Sequence, residues 1–185
     1  MKFLVFIAVL LVTACSSSIP TLNQYLLRSD SSNQFAVEKQ TKVVGLGAVV
    51  VAPYIDGLGL VLETSAGEVR PARDHQWAEP LRDSLRAFIA QEMSAKAGQI
   101  IRSNNSGEGD WQRRIDLRID QLHGTANGEA RLVAYWVVID TDERTVISEN
   151  GFSEIAALSA DGYGALVVAE KALLQNLAIA MAATL

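Results

Sequence analysis

The sequence has one cysteine, two histidines and no run of basic residues, and each shortage excludes a class of protein. Because Cys15 is alone, no disulfide can form within the chain, and the fold must rest on buried apolar surface. Neither His75 nor His123 stands in a metal-ligand spacing, and the chain lacks a nucleotide-binding loop and a nucleophile elbow. The net charge of −5, from 16 basic and 21 acidic residues, argues against a nucleic-acid partner.

Acidic side chains cluster in two turn-like stretches, residues 104–110 and 140–143. Neither stretch has the alternating Asp/Asn ligands and distant Glu of a calcium loop, so we interpret both as surface turns. A pair of catalytic carboxylates would meet only in the fold, and the sequence singles out no such pair. We therefore expect a protein that is not an enzyme and has no metal or cofactor.

Long apolar runs are equally scarce. After residue 12, no stretch approaches the roughly 18 uninterrupted apolar residues of a membrane-spanning helix. The run at residues 3–12 follows Lys2 and is too short to cross a bilayer, which takes about 20 residues. This pattern is typical of a secretory signal peptide, here residues 1–14. Removing those 14 residues from 185 leaves 171, which suits one domain.

The signal peptide ends in Val-Thr-Ala-Cys at residues 12–15, which resembles a bacterial lipobox. The resemblance implies that the Cys15 sulfur is diacylglycerylated and that the signal peptide is cut off at the bond before Cys15. The new amino group of Cys15 then receives a fatty acyl chain such as palmitate. Two or more chains anchor a protein firmly. Ser16 is not the aspartate that retains enteric lipoproteins in the inner membrane, which favours the periplasmic face of the outer membrane. The alternative is an ordinary signal peptide with a chance cysteine.

Residues 15–21 are predicted to be the lipidated cysteine and a Ser-rich tether, and residues 22–185 a single domain. Residues 42–51 are apolar on both alternating faces, which is typical of a strand buried on both sides. Within it, Gly45 and Gly47 share a face where we expect a helix to approach closely.

Further strands follow the same alternation. The apolar run at 60–62 and residues 68–70, separated by Ala66-Gly67, predict a hairpin. Residues 114–122, 129–140 and 144–152 predict a three-stranded meander. The middle strand of the meander is apolar on both faces, so we expect it to sit centrally.

Two segments have helical periodicity. Residues 77–97 are predicted to be an amphipathic helix with Pro80 in its first turn and Gly98 as its stop. A second helix, capped by Ser159 or Asp161, is predicted to run to the C-terminus. These elements predict an α/β (α+β) fold, with a mixed, largely antiparallel sheet and two helices packed on one face.

Two longer motifs resemble a known family. Residues 73–81, Arg-Asp-His-Gln-Trp-Ala-Glu-Pro-Leu, enter the first helix after a Val-rich strand and a Pro53-Tyr54 turn. Residues 161–167, Asp-Gly-Tyr-Gly-Ala-Leu-Val, open the terminal helix. In this order, and behind a lipobox, they resemble the ABC-type transport auxiliary lipoproteins, also called the PqiC or YmbA family. The resemblance extends from Tyr25 to the C-terminus.

The resemblance implies a role in lipid transport and membrane integrity. It implies an outer-membrane lipoprotein of a system in which an inner-membrane protein and a periplasmic MCE-domain tunnel, PqiB-like, move phospholipids between membranes. The implied partners are that tunnel protein, its inner-membrane partner, the outer membrane through the acyl chains, and further copies of this chain.

Three aromatic residues are candidate partner-binding residues: Tyr54, Trp77 and Tyr163. For Trp77 the alternative role is that of a buried residue that anchors the start of a helix. The alternative function is that of a stand-alone periplasmic lipoprotein that binds a ligand or the cell wall. It predicts a concave pocket, whereas a docking subunit predicts an exposed patch and self-association.

Overall fold

The computed structural model describes residues 21–30, 43–103 and 110–185. The signal peptide, Cys15, the tether up to residue 20 and most of the acidic stretch 104–110 lie outside these residues. Within the described residues the fold has two helices, α1 (Leu81–Ala97) and α2 (Tyr163–Ala182), beside one sheet. The strands in chain order are β1 (Asn23–Tyr25), β2 (Val44–Val51), β3 (Gly59–Ser65), β4 (Glu68–Trp77), β5 (Ile101–Arg102), β6 (Arg113–Thr125), β7 (Glu129–Asp140) and β8 (Thr145–Ala157).

The sheet is built around β6, which is 13 residues long. One edge of β6 pairs in parallel with β2 and, at its end, with β3, while its other edge pairs with β7. Beyond β3 lie β4 and then β1, β5 pairs with the outer edge of β2, and β8 pairs with the outer edge of β7. The hairpin pairs β3–β4, β6–β7 and β7–β8 are antiparallel, and β6–β7 and β7–β8 have the longest registers. The predicted mixed, largely antiparallel sheet is confirmed.

Both helices cover the same face of the sheet, as predicted. On β6, Ile115, Leu117 and Ile119 are at most 2% exposed. The buried side chains of β7 lie opposite them in register, for example Val138 opposite Ile115. The apolar stripe of α1 and the broad apolar side of α2 pack on this surface and on each other. We call this the covered face.

No helix among residues 21–30, 43–103 and 110–185 covers the other side of β2, β6, β7 and β8, and we call it the open face. The prediction that β7 is interior holds, since it pairs along both edges. Its second apolar side is uncovered, however, and Tyr135 is 45% exposed. Val50, Val146 and Ile155 share this face by register and are each about half exposed. The apolar periodicity of β7 thus marks both a core surface and an exposed one.

Three local expectations were wrong. The first helix begins at Leu81, not Trp77, because residues 68–77 continue the hairpin and Trp77 pairs with Tyr25 of β1. The cap of α2 is Gly162, without a side-chain hydrogen bond, instead of Ser159 or Asp161. Its φ of 103° is a conformation that favours glycine.

The third expectation concerned Gly45 and Gly47. They do share a face, but it is the open face, away from both helices. The indole of Trp111 lies against Gly45, and the side chains of Arg114 and Asp116 lie against Gly47. The small residues therefore accommodate side chains where we expected a helix.

The helix α2 is long and apolar enough to span a membrane, with a mean hydropathy of 1.5 in its most apolar window. Half of that window is buried within the fold. This burial agrees with a core helix, since α2 supplies much of the cover for β7 and β8.

Candidate functional site

Tyr54 fills a break in the pairing along β6. The register of β2 with β6 ends at Ile119, and that of β3 begins at Gly124. A 3-10 turn, Pro53–Ile55, spans this gap. Its Tyr54 hydroxyl lies 2.8 Å from Nδ1 of His123. The predicted partner-binding residue is therefore half-buried and tied to a strand that the sequence did not link to it.

His123 is 4% exposed and lies on the open-face side of β6, next to Arg131 on β7. Its Nε2 is 3.6 Å from Oε2 of Glu63 on β3. Burial lowers the pKa of His123, Glu63 raises it and Arg131 lowers it, with a net decrease. Burial also raises the pKa of Tyr54. The imidazole and phenol are thus favoured in their neutral forms.

Trp77 and Tyr163 occupy different environments. Trp77 ends β4 and is 3% exposed, with its backbone N–H donating to the Leu58 carbonyl at 2.7 Å. Tyr163 begins α2 and stacks on His75, with ring centroids 4.3 Å apart. His75 also stacks against Tyr25, whose hydroxyl lies 2.9 Å from Nδ1. The structure does not bring Tyr54, Trp77 and Tyr163 into one site.

The most exposed aromatic of the open face is one that sequence reasoning missed. Tyr135 lies in an open groove of about 580 Å³ between β2, β6, β7 and β8. The Arg118 guanidinium carbon is 5.1 Å from the centroid of the Tyr135 ring, which also lies against Gly151. Glu149 and Asp116 line the same groove. The alternation of β7 contained the signal, because it placed Tyr135 on the face opposite Trp136.

The described ranges contain no group of three His, Cys, Asp or Glu side chains placed to hold a metal ion. The groove itself combines an exposed Tyr–Arg pair, aliphatic side chains and a charged rim. Tyr and Arg are enriched among the residues that dominate protein–protein binding energy. The arrangement is therefore suited to binding a partner or ligand by contact.

Comparison with known proteins identifies the family. The model of the ABC-type transport auxiliary lipoprotein components matches residues 25–182. The chain belongs to this family. The family is one of auxiliary lipoprotein components of transport systems, so membership implies a membrane-associated, non-enzymatic role within a multi-component system.

Relatives of this family member span nearly its whole length. The chain is 25% identical over 168 residues to the intermembrane transport lipoprotein PqiC of Escherichia coli K12, covering 90% of this chain and 87% of PqiC. The PqiC of Shigella flexneri matches to the same extent.

Two crystal structures show that the fold is shared. One, of an uncharacterized protein, has a TM-score of 0.74 at 21% identity and covers 88% of this chain and 97% of that protein. The other, of a Xanthomonas campestris protein, has a TM-score of 0.66 at 14% identity, covering 88% and 90%.

Proposed function

We propose that this protein is the outer-membrane lipoprotein of an MCE-type intermembrane lipid transport system and that it docks the periplasmic tunnel. Family membership over residues 25–182 and the likeness to PqiC support this proposal. In it, acyl chains on Cys15 hold the domain at the periplasmic face of the outer membrane. The partners are an MCE-domain, PqiB-like protein and, through it, an inner-membrane component.

The observation that carries the docking proposal is the exposed apolar side of the open face. Val50 and Tyr135 are 50% and 45% exposed, and they line the groove together with Val137. A contiguous apolar surface with a polar rim is the signature of an interaction site in a protein that is otherwise well packed. We assign the groove, centred on Tyr135 and Arg118, as the contact for the tunnel.

The pairing of Arg118 with Tyr135 defines the expected hot spot. Arg118 also forms an ion pair with Asp120 at 2.9 Å, which helps to hold its guanidinium near the ring. A side chain that is already oriented loses less entropy when a partner covers it. Tyr54 and Tyr163 are less exposed and belong to intramolecular contacts, so we place them outside the central contact.

The experiment is co-purification of the full-length, acylated protein from detergent-solubilised envelopes. We expect an MCE-domain protein to accompany the wild type, and Tyr135→Ala to reduce its recovery about tenfold or more, as loss of a hot spot does. The matched control is Val168→Ala, because Val168 is 62% exposed on α2 and outside the groove. Recovery of no MCE-domain protein with the wild type would show the docking proposal to be wrong.

Self-association is a second part of this proposal, since an exposed apolar face also suits contacts between copies. Light scattering of the full-length protein in detergent measures the number of copies. A monomer at all concentrations would contradict this part alone.

A second candidate function is a stand-alone lipoprotein that binds a periplasmic ligand or the cell wall. The volume of the groove, about 580 Å³, favours it, because ligand sites are typically concavities of about 300–1,000 Å³. This function predicts purification without a tunnel protein and saturable binding of a soluble ligand. The co-purification experiment separates the two.

A further inference from the structure

The sheet ends at β1 in a free edge that carries two exposed leucines. Within residues 21–30, 43–103 and 110–185, β1 pairs with β4 along one side and with no strand along the other. Leu22 precedes β1 and Leu26 follows it, and they are 49% and 55% exposed. Gln24 lies between them and is also exposed. We call these three residues the β1 rim.

The residues that alternate with the β1 rim hold β1 in the fold. Leu27 is 2% exposed, and the Tyr25 ring stacks on His75 with centroids 6.0 Å apart. Successive side chains of an extended chain point to opposite sides, so the β1 rim points away from these contacts. The fold therefore cannot cover the two leucines without withdrawing Tyr25 and Leu27 from their partners.

The distance to the expected lipid anchor indicates what covers the β1 rim. Leu22 follows Cys15 by seven residues, which span at most about 25 Å. The strands run in the order β1, β4, β3, β6, β7, β8, so β8 lies five strand spacings, or about 24 Å, from β1. Acyl chains on Cys15 would thus keep the β1 rim within about 25 Å of the bilayer, whereas β8 can stand about twice as far away.

This proximity makes a small apolar gain sufficient. Single exposed leucines are common on protein surfaces, and two of them would not hold a free protein on a bilayer, since even one acyl chain binds only marginally. A domain that is already tethered meets the bilayer at a high effective concentration. Transfer of two leucine side chains from water into the acyl region then decides which side of the domain faces the membrane.

We propose that the β1 rim is a bilayer-contact surface and that Leu22 and Leu26 insert among the acyl chains of the membrane to which Cys15 is anchored. This contact rests on the lipid anchor of the proposed function, but not on tunnel docking. It orients the sheet with β1 at the membrane and β8 at the far end. The β8 side of the groove is then directed away from the bilayer, where a periplasmic partner can reach it.

The test measures contact between the β1 rim and acyl chains in the full-length, acylated protein. Because Cys15 is the only cysteine and acylation consumes its thiol, one introduced cysteine can be labelled selectively. Gln24→Cys carries a nitrobenzoxadiazole fluorophore between the two leucines. Ser153→Cys is the matched control, since Ser153 is an exposed polar residue on the other edge strand, β8.

Both labelled proteins are reconstituted in vesicles of phosphatidylethanolamine and phosphatidylglycerol, with or without brominated acyl chains. Brominated chains quench only a fluorophore that touches them. We expect brominated vesicles to reduce the fluorescence at position 24 and to leave the fluorescence at position 153 unchanged.

Further substitutions assign the contact to the leucines. Leu22→Ser combined with Leu26→Ser should abolish the quenching of the fluorophore on Gln24→Cys. The matched control combines Val146→Ser with Ile155→Ser, because these β8 residues are 55% and 49% exposed, as the two leucines are. This control should leave the quenching unchanged. Circular dichroism verifies that both double variants are folded.

Three results would overturn the bilayer contact while the anchor stands, as shown by mass spectrometry of the acyl groups and flotation with the vesicles. The first is equal fluorescence with and without brominated chains at position 24. The second is quenching that persists after Leu22→Ser and Leu26→Ser. The third is a blue-shifted but unquenched fluorophore, which would indicate a protein on the β1 rim instead of lipid.

Failure of the anchor is a distinct result. A wild type that lacks acyl groups and does not float with vesicles would contradict the anchor, and the bilayer contact would be wrong with it. Tunnel docking is measured separately by co-purification.

Discussion

The phenol ring of Tyr163 lies against the imidazole of His75, with the ring planes 21° from parallel. This contact joins the first residue of α2 to β4, and through Tyr25 to β1, so it connects the beginning and the end of the described domain. A residue that was predicted to face a partner therefore has an intramolecular role in holding α2 against the sheet.

Substitution of this ring should destabilise the fold. We expect Tyr163→Ala to lower the free energy of unfolding by about 1–2 kcal/mol, because stacked rings contribute beyond their buried area. In a domain of this size that corresponds to a decrease in Tm of about 2–8 °C. Tyr163→Phe keeps the ring and should remain near the wild type. Equal losses in both variants would show that the hydroxyl, and not the stacking, matters.

Glu170 should make stability depend on pH. It is 1% exposed among apolar residues of α2, and burial raises its pKa to about 8 from 4.5. The folded state thus retains the proton that the unfolded state releases. The stabilising effect of the neutral form is complete below about pH 4.5 and is lost as pH rises towards 8.

We expect Glu170→Gln to abolish this loss. Since one pKa unit corresponds to about 1.4 kcal/mol, the stability of Glu170→Gln relative to the wild type should increase by several kcal/mol between pH 4.5 and 8. Urea unfolding at a series of pH values measures it, with the exposed Glu143→Gln as control. Parallel curves for the wild type and Glu170→Gln would contradict a buried neutral carboxyl.

Gly45 should not tolerate a methyl group. An added Cβ would overlap the indole of Trp111, which is 2% exposed and cannot move outward freely. We expect Gly45→Ala to cost about 1–3 kcal/mol through overpacking. Gly57→Ala is the matched control, because no atom lies within 4 Å of its added methyl. Chemical denaturation of both variants measures the difference.

Acylation of Cys15 should decide where the protein resides. We expect Cys15→Ala to leave the membrane fraction and to lose the mass of the acyl groups, because no other anchor is predicted. Ser16→Asp should remain acylated but accumulate in the inner membrane. Cell fractionation with mass spectrometry measures both results. An unmodified thiol in the wild type would show the lipidation prediction to be wrong.

Local patterns predicted the strands and the apolar stripe of α1 well, since alternation and helical periodicity are set by nearby residues. The beginning of α1 was misplaced because Trp77 continues a strand through its pairing with Tyr25, a contact between distant segments. The cap of α2 depends on the positive φ of Gly162. The side-chain preferences that favoured Ser159 and Asp161 as caps do not predict this backbone conformation.

The candidate sites were less accessible to sequence reasoning. The partner of Tyr54 is 69 residues away, at His123, and the break in pairing that joins them follows from the topology. The β3–β4 and β6–β7 turns are adjacent only because β3 and β6 pair at their ends. Tyr135 was visible as part of an alternating strand, but its exposure follows from the packing of both described helices on the opposite face.

The order of the elements along the chain has a consequence for folding during synthesis. Helix α2 follows β7 and β8 in the chain and supplies much of their apolar cover, so this side of the sheet stays open in a nascent chain until α2 has left the ribosome.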